Sequence, residues 1–214
     1  MNVFLKQEIA NNYDAYYQTE FGKKVDRIEK EIVSELLDMT VTDNKLLDIG
    51  CGTGHWAEFF IHKGYQVIGV DRSEAMLKIA TNKNLEAKFM LGNSEKMDIE
   101  DESYKVITTI TMLEFVNNQE KSIQEMYRIL KKGGWLIVGG LYADSPLGMN
   151  KGNDPVFKNA RFYNKKDIKS KFSQFKIVEH KEGVCLDDKF EFINSTSNAI
   201  NTSPLFFGLL LKKT

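Results

Sequence analysis

A chain of 214 residues, 42% of them hydrophobic, suits one domain with a buried core and leaves no room for several. Its 29 basic and 30 acidic residues nearly cancel to a formal charge of −1, which removes the electrostatic case for a nucleic-acid or anionic-membrane partner. No apolar run is long enough to span a bilayer, and the opening MNVFLKQEIANNYDAYY lacks the charged-then-apolar pattern of a signal peptide, so a cytoplasmic protein is expected.

In chain order, an aromatic stretch (Tyr13, Tyr16, Tyr17, Phe21) precedes the first strong helical pattern. Val25, Ile28, Ile32, Val33, Leu36 and Leu37 fall on one face of a helix expected from about Phe21 to Asp38. From Lys45 short apolar runs begin to alternate with helical periodicity. Lys45–Ile49 reads as a strand and is followed by a glycine-rich turn. The next helix carries Trp56, Phe59, Phe60 and Ile61, with Gly64 at its C-cap. Gln66–Val70 is the second strand. Ser73 can cap the helix of Ala75, Met76, Ile79 and Ala80. Ala87–Leu91 and Val106–Thr111 follow as strands, the latter rich in β-branched residues. Ile123, Met126, Tyr127 and Leu130 mark a helix that Gly133 and Gly134 should end, and Trp135–Leu141 is the fifth strand. After a basic, partly helical stretch near Asn164–Phe172, Phe175–His180 and Leu205–Leu211 complete the set. Strands alternating with helices predict an α/β doubly wound sheet, in which ligands bind outside the carboxyl ends of the strands. The residues so placed are Asp48–Gly54, Asp71, Asn93–Glu95 and Ile110–Phe115.

The segment Leu46-Leu-Asp-Ile-Gly-Cys-Gly-Thr-Gly54 joins a strand to a helix. Glycine there permits positive φ and a close approach of ligand to backbone, and the turn presents a helix N-terminus. Asp71 ends the next strand, nineteen residues after Gly52, where its carboxylate can accept both hydroxyls of a ribose. That residue alone does not separate a nicotinamide dinucleotide from an adenosyl sulfonium. The turn does. A dinucleotide fingerprint reads Gly-x-Gly-x-x-Gly, whereas here Asp48 precedes glycines at every second position. A carboxylate at that point would repel a pyrophosphate and suits a nearby cationic amino group.

Leu46–Gly54 resembles the first motif of class I S-adenosylmethionine-dependent methyltransferases. Lys45–Leu141 is similar to the subgroup that includes ubiquinone/menaquinone-type and other small-molecule methyltransferases. The resemblance implies a Rossmann-like, seven-stranded, mostly parallel sheet with the last strand antiparallel and helices on both faces. It implies a single domain, with residues 1–40 as a helical lid and 41–214 as the core. S-adenosylmethionine is the implied cofactor, leaving S-adenosylhomocysteine. Gly50, Cys51, Gly52, Thr53 and Gly54 would wrap its methionine part, and Asp71 would hold the ribose. Arg72 and Met76 would line ribose and adenine, Asn93, Ser94 and Glu95 would face the adenine, and Ile110 and Thr111 would lie beneath the methionine part. Asn93 stands where aspartate is commoner, and its amide oxygen can still accept from an exocyclic amine. Glu114 and Phe115 stand where many relatives carry histidines, so no acid–base residue is inherited.

Glu114 is the one carboxylate near the expected methyl site and the sole candidate base. As the residue opening a helix it is better read as exposed and favoured by the dipole. Tyr13 and Tyr17 are the expected contacts of the lid, because aromatic faces attract a sulfonium as they attract ammonium. His55 reads as a surface histidine. Cys51 and Cys185 read as reduced thiols, and no ligand spacing suggests a metal. The lysine-rich stretch Lys158–Lys176 reads as a solvated face, and Asp187–Pro204, rich in Asn, Ser and Thr, as a loop able to cap a substrate pocket. The expected partner is a small-molecule methyl acceptor, with no membrane and no nucleic acid. No Asn/Asp-Pro-Pro-aromatic motif follows the fourth strand, which disfavours methylation of an exocyclic base amine; an RNA or protein methyltransferase is one alternative. A non-catalytic binder of the cofactor is the alternative from another class, and a dinucleotide oxidoreductase is disfavoured by the glycine spacing.

Overall fold

The computed structural model describes residues 3–40, 44–187, 189–193 and 203–214. Short helix α1 (Gln7–Tyr13) and a 3-10 turn at Tyr16–Gln18 lead into α2 (Glu20–Asp38). There follow β1 (Lys45–Ile49), α3 (His55–His62), β2 (Gln66–Asp71), α4 (Glu74–Asn82), β3 (Ala87–Leu91) and β4 (Tyr104–Ile110). Next come α5 (Gln119–Ile129), β5 (Leu130–Leu141), α6 (Pro146–Asn150), α7 (Ile168–Lys171), β6 (Lys176–Gly183) and β7 (Phe206–Lys212). The loop expected over 187–204 falls largely on residues 188 and 194–202, outside the described residues.

The seven strands form one sheet in the order β3-β2-β1-β4-β5-β7-β6. β7 alone runs antiparallel, between β5 and β6. The chain thus winds outward from β1 in both directions, and the strand order reverses between β1 and β4. That reversal opens a crevice at the carboxyl ends of the central strands. Both faces of the sheet are covered, and the two hydrophobic clusters lie on either side of it. One joins α2 and α3 to Leu46, Ile137 and Phe206. The other joins α5 to Leu47, Ile107 and Leu209.

α2 forms where its periodicity predicts. Thr19 Oγ1 accepts from Gly22 N at 2.9 Å to cap it, and Val25, Ile32, Val33, Leu36 and Leu37 are buried along one stripe. The helix seats on strand positions that lack side chains. A Cβ on Gly208 or on Gly183 would come within 2.6 Å of the Ile32 side chain. Each apolar side chain so buried contributes roughly 1.5–3 kcal/mol. Ser73 caps α4, accepting from Met76 N. At α5 the boundary differs from the sequence expectation. The helix stops at Ile129 and Leu130 already pairs with Tyr104, so β5 begins five residues before Trp135. Gly133, at φ +70°, does not end the helix; its N–H donates to Lys213 O just past β7. No described helix is long and apolar enough to cross a membrane.

Candidate functional site

The turn after β1 is shaped by its glycines. Gly50 N and Cys51 N both donate to Val70 O, which turns the chain across the end of β2. Gly50 sits at φ +84°, and a Cβ there would lie 2.1 Å from Met112 Cγ. Gly52, at φ +53°, has open space where its Cβ would be. Asp71 secures the turn from the next strand. Its Oδ2 accepts from Gly52 N at 2.9 Å and its Oδ1 from Ser73 N at 2.8 Å. Burial raises its pKa, opposed by these backbone N–H groups and by Arg72.

Above this crevice lies a cavity of about 470 Å³. One end is formed at β1, β2 and β3 by Gly50, Gly52, Asp71, Arg72, Met76 and Ser94. Much of the rest of the lining is apolar, including Phe115, Phe157, Leu147, Leu186 and Leu205, with Ile110 and Thr111 at the end of β4. Thr111 adopts φ +48° as β4 stops, an uncommon conformation for a β-branched residue and one that costs on the order of 1–3 kcal/mol.

The roof is the N-terminal segment. Tyr13, Tyr16 and Tyr17 face the cavity together with Phe21, Val25 and Glu29 of α2. Three ties fasten this roof to the crossovers beneath. Asp14 accepts from the buried Thr53 hydroxyl at 2.6 Å and pairs with Lys83 at 2.6 Å. Ser73 Oγ donates to Phe4 O at 2.7 Å. His55 lies against Tyr17, ring centroids 3.7 Å apart and nearly parallel, and its Nε2 meets Asp26 Oδ1 at 2.6 Å. His55 is therefore enclosed, not the surface histidine expected, because α2 folds back over the start of α3. Burial pushes the Tyr13 phenol up to about 12, so it remains a proton donor at neutral pH.

Of the residues singled out from the sequence, Tyr13, Tyr17, Gly50, Gly52, Asp71, Arg72, Met76, Ser94, Ile110 and Thr111 line this cavity. Others lie beside it. Cys51 is buried against Gly69, Thr53 is taken up by Asp14, and Gly54 is the left-handed N-cap of α3. Asn93 borders a shallower depression, and its Oδ1 accepts from Glu95 N. Glu95 reaches the start of α5, where its Oε1 accepts from Asn117 N and Asn118 N. Asp48 is buried and is not among the residues lining the cavity. Its Oδ1 accepts from Thr108 Oγ1 at 2.9 Å, its Oδ2 has no partner, and burial pushes its pKa up to about 7. Asp48 thus meets β4 through Oδ1 and keeps Oδ2 unpaired.

Glu114 is 1% exposed, which corrects the expectation of an exposed helix-start residue. It belongs to a 3-10 turn preceding α5, and its Oε1 accepts from Leu141 N at 2.8 Å. Oε2 has no partner, and burial raises its pKa to about 7. Its side chain does not line the cavity. Two carboxylates that do, and that sequence reasoning missed, are Glu29 and Asp154, of which Glu29 lies in the roof. For Glu29 a signal existed: an acidic residue on the apolar stripe of α2, one turn after Val25 and one turn before Ile32 and Val33.

A family model described as a methyltransferase domain matches residues 47–138. An uncharacterized protein of Methanocaldococcus jannaschii is 34% identical over 176 residues, covering 78% of this chain and 77% of its own length. The demethylmenaquinone methyltransferase of Renibacterium salmoninarum is 32% identical over 98 residues, so that the match spans only 41% of that enzyme. The crystal structure of an S-adenosylmethionine-dependent methyltransferase from Thermotoga maritima, described as a possible histamine N-methyltransferase, superposes with a TM-score of 0.72 at 26% identity, over 98% of each chain.

Proposed function

The chain belongs to the class I S-adenosylmethionine-dependent methyltransferases, and on that premise we propose that it methylates a small-molecule acceptor admitted to the cavity under α2. The observation that carries this reading is Asp71, fixed by two backbone N–H groups at the rim of an open glycine turn inside a roofed cavity.

The residues present fit the adenosyl cofactor. An ionised carboxylate offers about four lone-pair sites, so Asp71 keeps acceptors for two ribose hydroxyls after its two backbone bonds. Gly52 has no Cβ and leaves room for the methionine part, and Met76 and Ser94 flank the place for the base. When bound, S-adenosylmethionine supplies a methyl group on a sulfonium whose leaving group is a neutral thioether.

The protein's part is placement. Two reactants fixed in one small cavity gain effective molarity, worth roughly 7–11 kcal/mol in favourable cases. The N-terminal segment acts as a lid that keeps water from the sulfonium, and its tyrosine faces favour a cation. The apolar part of the lining receives the acceptor's body.

Calorimetric titration tests the reading. S-adenosylmethionine and S-adenosylhomocysteine should bind, NAD should not, and Asp71→Ala should weaken the adenosyl ligands roughly 100-fold or more through two lost charge-assisted hydrogen bonds. Binding of NAD alone, or adenosyl binding unchanged by the substitution, would refute it.

A further inference from the structure

We propose that the acceptor is a cationic amine with an apolar body, and that Glu29 is the residue that receives its ammonium. The inference rests on the methyltransferase reading and adds the class of substrate.

Three carboxylates line the cavity, and two are already engaged. Asp71 accepts from Gly52 N and Ser73 N. Asp154 Oδ1 accepts from Val156 N and Phe157 N. Glu29 is 7% exposed, lines the cavity, and has no hydrogen bond or ion pair among the described residues. A buried carboxylate without a partner is costly, and a ligand that brings its own cation relieves that cost.

The groups around Glu29 do not supply a cation. On α2, the positive charge that Glu29 feels is Lys30, whose Nζ is held by Asp26 at 2.8 Å. Asp26 itself and Glu114, from the turn before α5, add like charge. Tyr13 of α1, with Tyr16 and Tyr17 of the following turn, completes the surroundings with neutral phenols. Burial first, then Asp26 and Glu114, push the Glu29 carboxyl up to about 8. An arriving ammonium reverses that balance and restores the ionised form. Among the described residues lining the cavity, Arg72 is the one cation, and it lies beside Asp71 at the end of β2. An anionic acceptor would thus face repulsion where an amine finds attraction.

Glu29 is carried by α2 in the roof, whereas Asp71 ends β2 in the sheet beneath. Tyr13 feels the charge of both. Glu29 also feels Glu114, which is anchored to Leu141 at the end of β5. The cavity wall also includes Phe115, Phe157, Leu147 and Leu205, a surface for hydrocarbon. Before attack the amine must be neutral. Glu29 can take that proton: an N–H bond breaks, an O–H bond forms, and the electron pair stays on nitrogen.

The test uses the full chain saturated with S-adenosylhomocysteine. Benzylamine and 2-phenylethylamine are titrated calorimetrically beside benzyl alcohol, 2-phenylethanol and 3-phenylpropanoate. Each amine should bind at least about tenfold more tightly than its alcohol, and the carboxylate more weakly than either. Glu29→Gln should bring the amines to the level of the alcohols and leave S-adenosylhomocysteine affinity within about twofold. Equal binding of amine and alcohol by the wild-type protein, or no amine binding, overturns the proposal without use of a variant. A loss of S-adenosylhomocysteine affinity in Glu29→Gln would also overturn it, by assigning Glu29 to the donor. The amines are titrated into the ligand-free protein as well. Failure of S-adenosylhomocysteine to bind at all would then count against the methyltransferase reading, while the amine preference is still measured.

Discussion

Asp14 is the residue on which the roof's attachment can be weighed. Its Oδ1 accepts from Thr53 Oγ1 and its Oδ2 meets Lys83 Nζ, each at 2.6 Å. Thr53 is fully buried, so its bond to a carboxylate is worth about 1.5–3 kcal/mol. The ion pair is partly open to solvent, with side chains 25% and 36% exposed, and is discounted to about 0.2–1 kcal/mol. Asp14→Ala therefore removes about 1.7–4 kcal/mol from the closed roof, a factor of roughly 20–800 in the ratio of closed to open forms. If the roof gates escape, S-adenosylhomocysteine should leave the variant faster by up to that factor. Stopped-flow displacement reads the rate, and urea denaturation on the same samples separates local loosening from loss of the fold. Thr53→Val should reproduce most of the effect and add little in combination, because both changes break one hydrogen bond. A dissociation rate within about threefold of wild type in both variants would refute the assignment of this tie to the gate.

Stability should fall as pH rises from about 5 to 8. Glu29 is raised to about 8, and Asp48 and Glu114 to about 7, so the native protein keeps protons that the unfolded chain releases above its ordinary carboxyl range. All three carboxyls act in the same direction, and each tenfold difference in proton affinity between the folded and unfolded chain is worth about 1.4 kcal/mol. His180, lowered by burial, opposes this as a single group. A urea midpoint that rises across the window would contradict the burial of these carboxyls. Thr111→Gly should stabilise the protein to urea by about 0.5–1 kcal/mol, since relief of the left-handed strain exceeds the entropy glycine adds to the unfolded chain. Destabilisation instead would mean that the threonine side chain packs for more than the strain costs.

The parts of the site legible in the sequence are those that the backbone dictates. Alternating glycines with an acidic residue at the end of the next strand can be recognised locally, because turn geometry and ligand access leave few other residue choices. The bond that Asp48 makes to Thr108 of β4 was not legible. β1 is flanked by β2 and β4 and covered on both faces, so alternation does not tell which partner a polar side chain finds. Glu95 and Glu114 likewise sit within loops near the site, but each is claimed by backbone N–H groups of a neighbouring segment, a tertiary outcome with no local periodic sign. Glu29 lies between these cases. Its place on the apolar stripe marked it as buried, yet the emptiness beneath it exists only because α2 crosses a crevice formed by strands much later in the chain.

That crossing bears on the order in which the molecule can assemble. α2 rests on Gly183 and Gly208, in the two strands that come last in the sheet, so its seat does not exist until β6 and β7 have paired. During synthesis the helix and its aromatic leader emerge early and must wait, with Val25, Ile32 and Leu36 uncovered, until β7 inserts between β5 and β6. The adenosyl end of the crevice, built on β1, β2 and β3, needs none of these late strands. A nascent chain could thus hold the floor of its binding site well before it acquires a ceiling.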